Sequence, residues 1–353
     1  MKIGIIIGSL GLGGAERVSV RLAEWWIGAG HQVSFYTTMM PPEKEYPLPA
    51  GATRNYCHKK GAGFGLIKSL RDCIKADAPD VVVVMDTPMC VYAVPALLGL
   101  GIPFVVSERS APNHANIRRT TKALSRMLMG FANGFVFQTN GARDCYRSGI
   151  RRKSVVIPNP LAVDRLPEPY LGVREKRIVA MGRLTPAKNY PLLIAAFSIF
   201  AQTHPDYTLE IYGDGVLKDQ IAADIRASDA AGQIFMMGAH NDVLEKVRKG
   251  AIYVLSSDYE GMPNALMEAM AIGLPSISTD CPSGGPKDLV DSGVNGILVP
   301  VAEPEAMAAA MSAIVENKYM QHTLSENGVR LRESLNIRHI GARWIDVLQE
   351  SIR

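Results

Sequence analysis

Two successive series of strand-length apolar runs, separated by helix-like stretches, constrain this chain more than any other feature of its sequence. The first series comprises Lys2–Gly8, Gln32–Thr37, Asp80–Met85, Pro103–Ser107, Gly134–Gln138 and Ser154–Ile157. The second comprises Lys176–Met181, Thr208–Tyr212, Gln233–Met237, Ala251–Ser256, Pro275–Ser278 and Gly296–Val299. The runs are continuously apolar, not alternating, as strands are when helices cover both faces of a parallel sheet. A chain of 353 residues exceeds what one core usually holds. The spacing therefore predicts an α/β protein with two doubly wound, Rossmann-like domains facing across a cleft. Between the series, Ile157-Pro158-Asn159-Pro160 and then Pro167 and Pro169 cannot extend a sheet and mark a linker near residues 160–174. The expected domains are 1–165, 166–335 and a final helix over 336–353. Ligands of such sheets bind at the carboxyl ends of the strands.

Apolar residues make up 47% and charged residues 20%, enough to fill packed cores and too little polarity for an extended disordered tail. Cys57, Cys73, Cys90, Cys145 and Cys281 are scattered and form no C-x-x-C pair, which points away from a disulfide framework or zinc site and towards a reducing cytoplasm. The opening apolar run is short and passes into glycines and Glu16-Arg17, so it reads as a buried first strand and not as a leader. No run is long enough to cross a bilayer. Residues 1–170 carry 21 Lys and Arg against 12 Asp and Glu, a net +9, whereas residues 171–353 carry 17 against 22, a net −5. The basic half is expected to face an anionic partner.

Three loops hold the candidate chemistry. After the first strand, Gly8-Ser9-Leu10-Gly11-Leu12-Gly13-Gly14-Ala15-Glu16-Arg17 precedes a helix; its glycines either make a tight turn or let the amides of Gly13 and Gly14 approach a phosphate. The G-x-G-G spacing departs from the dinucleotide fingerprint. Arg183 and Lys188 lie on the loop that follows the first strand of the second series, placed to grip a diphosphate with two cations. Glu260 and Glu268 lie in Ser257-Asp258-Tyr259-Glu260-Gly261-Met262-Pro263-Asn264-Ala265-Leu266-Met267-Glu268, with a helix expected from about Asn264. A carboxylate suits sugar hydroxyls, and the amides at the helix start suit a donor phosphate.

Arg183 with Lys188, the E-x7-E pair Glu260 and Glu268, Gly13-Gly14-Ala15-Glu16-Arg17, Pro158-Asn159-Pro160 and Gly213-Asp214-Gly215 resemble the family-4 retaining glycosyltransferases of GT-B fold over nearly the whole chain. The resemblance implies that Arg183 and Lys188 bind the donor diphosphate and that the amides of Gly13 and Gly14 close on it. It implies further that Glu268 holds the ribose hydroxyls and Glu260 the transferred sugar. Gly213, Gly238 and the stretch Gly261, Met262, Pro263, Asn264 and Ala265 would line the donor site. The donor would be a UDP-sugar serving as co-substrate, with no other cofactor, and the acceptor a glycan or polyprenyl-diphosphate-linked glycan. Such enzymes are thought to seat the acceptor on the face of the leaving diphosphate, whose oxygen takes the acceptor's proton. No D-x-D motif is present; the nearest approach, Asp258-x-Glu260, overlaps the sugar-binding Glu, and no metal is expected.

Many family members carry a His in the loop after the fourth strand, near the reacting sugar. Here that loop reads Val106-Ser107-Glu108-Arg109-Ser110-Ala111-Pro112-Asn113-His114, which puts Glu108 or Arg109 at that place and His114 on the surface or in an acceptor loop. Downstream, Arg118, Arg119, Lys122 and Arg126 share one side of a helix with apolar partners opposite, a pattern that suits an anionic membrane surface or a lipid-diphosphate acceptor as well as it suits a solvated amphipathic helix. This predicts a cytoplasmic protein, peripheral on the inner face of the plasma membrane.

Two other classes compete with this reading. A Rossmann-type oxidoreductase or epimerase needs a ribose-binding acid after the second strand, but Tyr36-Thr37-Thr38-Met39 offers none before Glu43. A non-catalytic nucleotide-sugar binder would hold donor without turning it over. Nucleic-acid binding lacks any recognition motif.

Overall fold

The computed structural model describes residues 1–58, 63–113 and 118–353. It separates into two compact units, one made of Met1–Pro160 with Leu335–Arg353 and the other of Leu161–Ser334. His114 lies outside the described residues.

The first unit holds seven parallel strands, β1 (Lys2–Ile7), β2 (Gln32–Thr37), β3 (Thr53–Tyr56), β4 (Val81–Met85), β5 (Phe104–Glu108), β6 (Gly134–Phe137) and β7 (Ser154–Val156), in the order β3-β2-β1-β4-β5-β6-β7. Burial on both faces explains the continuous apolar runs. Along β4, Val82 and Val84 enter one core with Leu70, Ile74 and Phe137. Val81, Val83 and Met85 enter the opposite core with Trp26 and Trp344. This is the two-residue period of a strand, applied to a segment apolar at every position. β3, read from Thr-Arg-Asn-Tyr, is the strand that the apolar pattern misses; it lies at the edge of the sheet with no buried residue.

The helix Ile337–Ile352 belongs to this unit. Trp344 packs edge-on against Trp26 with ring centroids 6.2 Å apart, and the Trp26 indole N–H donates to the carbonyl of Gly341. Gly341 is needed there, because a Cβ would press into the ring of Trp25.

The second unit holds six parallel strands, β8 (Glu175–Met181), β9 (Thr208–Tyr212), β10 (Ile234–Gly238), β11 (Gly250–Leu255), β12 (Ser276–Thr279) and β13 (Ile297–Val299), in the order β10-β9-β8-β11-β12-β13. The order reverses between β8 and β11, so the loops leaving these two neighbouring strands emerge side by side. The expected linker packs within this unit. Tyr170 N–H donates to the carbonyl of Ile272, Arg174 to that of Gly273 and Arg332 to those of Pro167 and Ala271. Two guanidinium groups thus satisfy carbonyls at the carboxyl end of the helix Asn264–Ala271.

The helix Arg119–Leu128 departs from expectation. Arg118 and Arg119 are exposed, but Lys122 and Arg126 turn inward to line a pocket, and the small hydroxyl residue Ser125 is buried. Leu124 and Met127 are exposed, as is Phe131 beyond the helix. The four cations therefore do not share one surface: Lys122 and Arg126 line the pocket that Glu108 also lines, and Arg126 covers the Tyr146 ring at 5.2 Å.

Candidate functional site

In the second unit the loops after β8 and β11 bring together residues far apart in sequence. Lys188 ends a short 3₁₀ turn, Pro186–Lys188, and its ammonium lies 2.6 Å from a Glu260 carboxylate oxygen. The same oxygen accepts from the Ser257 hydroxyl at 2.7 Å. The loops are tied by main-chain and side-chain bonds: Asp258 N–H to the carbonyl of Ala187, Ser256 hydroxyl to that of Lys188, and Asn189 amide to the Asp258 carboxylate. Both ion-pair side chains are mostly covered, 19% and 14% exposed, so the pair is screened less than a surface pair. Burial, with Glu260 adding to it, raises the Tyr190 phenol, and the same two causes push the Cys281 thiol up to about 12.

Around this pair the backbone leaves no room for side chains. A Cβ on Gly213 would fall on the carbonyl oxygen of Gly182, and one on Gly285 on that of Gly261. Gly213 N–H donates to the carbonyl of Gly238. Met262 and Pro263 are buried, Asn264 and Ala265 open the helix that carries Glu268, and Glu268 is 7% exposed. Arg183, on the loop between β8 and the turn Pro186–Lys188, is exposed. Among the described residues, no cluster of three or more Asp, Glu, His and Cys side chains is placed to hold a metal ion.

In the first unit Gly13 caps the helix Gly14–Gly28, and the Glu16 carboxylate folds back over it, so that a Cβ on Gly13 would collide with that carboxylate. An anionic side chain thus already faces the amino end of the helix where Gly13 and Gly14 stand.

Glu108, the last residue of β5, is 2% exposed. One of its oxygens accepts from Thr87 at 2.6 Å and Tyr146 at 2.5 Å, the other from the Ser110 N–H at 3.1 Å and hydroxyl at 2.7 Å. Arg109, the next residue, is 8% exposed, and one of its terminal nitrogens donates to Asn159. Its main-chain N–H donates to Asp86, which follows β4 with φ 77°. Burial, then the nearby Glu108, pushes the Asp86 carboxyl up to about 8, while burial lowers Arg109 to about 10 against the pull of both acids. Glu108 also lines a small pocket together with Thr87, Ser110, Lys122, Arg126 and Tyr146.

The structure therefore brings Lys188 to Glu260 and encloses Glu108 and Arg109. It sets Lys122 and Arg126 apart from the exposed Arg118 and Arg119. Sequence reasoning gave no site role to Asp86, Thr87, Tyr146, Ser257 and Asn159, although Ser257 and Asn159 lie within the stretches it singled out and Asp86-Thr87 directly follows an all-apolar strand.

Residues 12–165 match the model of Glycosyltransferase Family 4, and residues 168–330 match that of Glycosyl transferases group 1. An uncharacterized glycosyltransferase of Haemophilus influenzae is 26% identical over 98% of this chain and 99% of its own. A Campylobacter jejuni GalNAc-alpha-(1->4)-GalNAc-alpha-(1->3)-diNAcBac-PP-undecaprenol alpha-1,4-N-acetyl-D-galactosaminyltransferase is 23% identical over 99% of each chain. Among solved structures, Anabaena HepE in complex with UDP and glucose superposes with a TM-score of 0.83 at 17% identity, covering 99% of each chain.

Proposed function

Since the chain is a glycosyltransferase of GT-B fold, related to family 4 and to group 1, we propose that it is a retaining, metal-independent enzyme that moves a hexose or N-acetylhexosamine from a UDP-sugar to a glycan or lipid-linked glycan. The observation that carries this reading is the mostly covered Lys188–Glu260 pair at the switch point of the second unit, on loops of which the first also carries the exposed Arg183. Arg183 and Lys188 neutralise the leaving diphosphate and the amides opening the helix Asn264–Ala271 add to the field. Glu260 receives the transferred sugar, Glu268 the ribose, and the Gly213, Gly238 and 261–265 segments line the nucleotide. The bond from the anomeric carbon to UDP breaks, the acceptor oxygen bonds to that carbon on the same face, and its proton passes to the departing diphosphate. The basic first unit takes the acceptor, with Lys122 and Arg126 in its pocket and Arg118, Arg119 and the exposed Leu124 and Met127 meeting an anionic membrane surface on the cytoplasmic side. No helix among the described residues is long and apolar enough to cross a membrane. The UDP and glucose named with HepE and the PP-undecaprenol glycan in the name of the Campylobacter relative support the choice of substrates.

Purified protein in EDTA, offered UDP-sugars with and without lipid-diphosphate-linked sugars, is expected to release UDP and extend the acceptor. Failure to transfer or hydrolyse any donor would overturn the reading, and saturable donor binding without turnover would favour a nucleotide-sugar binder.

A further inference from the structure

The small pocket of the first unit is lined by two cations from one helix. Lys122 and Arg126 stand a turn apart on Arg119–Leu128, although like charges four residues apart repel. Arg126 covers the Tyr146 ring and spends one terminal nitrogen on the Asn113 side-chain oxygen at 3.2 Å. Lys122 is half-buried and makes no hydrogen bond or ion pair among the described residues. The acid in the lining, Glu108, is already taken: Thr87, Tyr146 and the N–H and hydroxyl of Ser110 fill its two oxygens. Ser125, between the cations in sequence, lines the same pocket at 1% exposed, and its hydroxyl has no partner among the described residues. A helical Ser can bond back to the carbonyl four residues earlier, and this one does not. An ammonium, a guanidinium and a buried hydroxyl thus meet where no acceptor is left for them, which is costly unless a ligand supplies one.

We infer that this pocket is a carboxylate subsite and that the acceptor glycan carries an acidic sugar, of the hexuronic acid type, whose carboxylate Lys122, Ser125 and Arg126 hold. Charge sets the valence. Two cations against Glu108 leave one positive charge over, which a monoanion balances and a doubly charged phosphate monoester overshoots. Shape then chooses among monoanions: a carboxylate ends its branch and enters a small pocket through a single bond, whereas a phosphodiester lies within its chain and needs two ways out. Its two oxygens suit the donors present, one for the ammonium and hydroxyl and one for the guanidinium. Pro88 and Pro112 supply apolar wall, so the contact is screened less than one on open surface. A neutral sugar would leave the two cations facing each other.

The acceptor role rests on the glycosyltransferase reading, but the site is tested without turnover, by titrating the full chain with methyl glucuronide, methyl glucoside and dimethyl phosphate. Wild type should bind methyl glucuronide about tenfold more tightly than methyl glucoside, and added salt should shrink that preference. Lys122→Ala and Arg126→Ala should each weaken the glucuronide about tenfold and Ser125→Ala about threefold, with the glucoside unchanged. Without ligand, Lys122→Ala should melt no lower than wild type, because it removes a repulsion and no bond; a structural lysine would not behave so. Equal binding of the two glycosides, wild-type glucuronide affinity in Lys122→Ala, or dimethyl phosphate binding more tightly than methyl glucuronide would overturn the inference, the last by assigning the pocket to a lipid-linked phosphodiester. A wild type that extends glucose-terminated acceptors yet does not distinguish the glycosides would sink this inference alone. One that binds the glucuronide but neither binds UDP nor turns over any donor would leave the carboxylate site standing and remove the glycosyltransferase reading.

Discussion

The two units place a cation beside a carboxylate at their strand ends in opposite ways. In the second, Lys188 and Glu260 lie 72 residues apart in sequence and meet at 2.6 Å, because β8 and β11 are neighbours and their loops converge. In the first, Glu108 and Arg109 are consecutive and make no ion pair with each other, because successive side chains at a strand end point to opposite sides. Glu108 is satisfied by hydroxyls and an amide and Arg109 is held by an amide. Sequence proximity therefore misleads about pairing, and sheet order predicts it.

The largest test of this contrast falls on the directly paired site. Lys188→Ala should abolish transfer, by about 10³-fold, and lower the melting temperature, because it strands a covered carboxylate. A double-mutant cycle with Glu260→Ala should be strongly non-additive in UDP release; additive losses would mean that the two act separately. Next in size, Gly285→Ala should destabilise the second unit by about 1–3 kcal/mol in urea unfolding, since its Cβ has no space beside the Gly261 carbonyl. Unchanged unfolding would show that this loop relaxes freely.

In the first unit, Tyr146→Phe and Thr87→Val each remove one donor from Glu108 and should cost about 1–3 kcal/mol. A larger effect on rate than on stability would place Glu108 itself at the reacting sugar. A separate expected effect is on pH dependence. Because the Asp86 carboxyl, facing Glu108 and Arg109, is raised to about 8, the folded protein holds a proton that the unfolded chain has released. Its contribution to stability should fall as pH rises from about 4 to about 8, and Asp86→Asn should flatten that slope. A slope unchanged in Asp86→Asn would assign it to other groups.

The doubly wound sheets were legible because parallel strands buried on both faces leave long apolar runs. β3 was not, since Thr53–Tyr56 lies on an exposed edge where no core selects apolar residues. The second unit's Arg183, Lys188, Glu260 and Glu268 were readable as residue types on two loops, but the pairing of Lys188 with Glu260 needed the strand order. The partners of Glu108 were not readable at all: Thr87 and Tyr146 come from other loops, and a lone Thr or Tyr looks like any other. The helix Arg119–Leu128 was legible as a helix but its orientation was not, because its spacing fixes which residues share a face and leaves open which face turns inward.

The helix Ile337–Ile352 seals the first unit against Trp26, although the whole of Leu161–Ser334 is made before it. During synthesis the amino-terminal sheet must therefore wait with an indole-lined face uncovered while the second unit emerges. Ribosome-bound intermediates halted before Leu335 should be the most adhesive form of this protein, and the ones that chaperones hold longest.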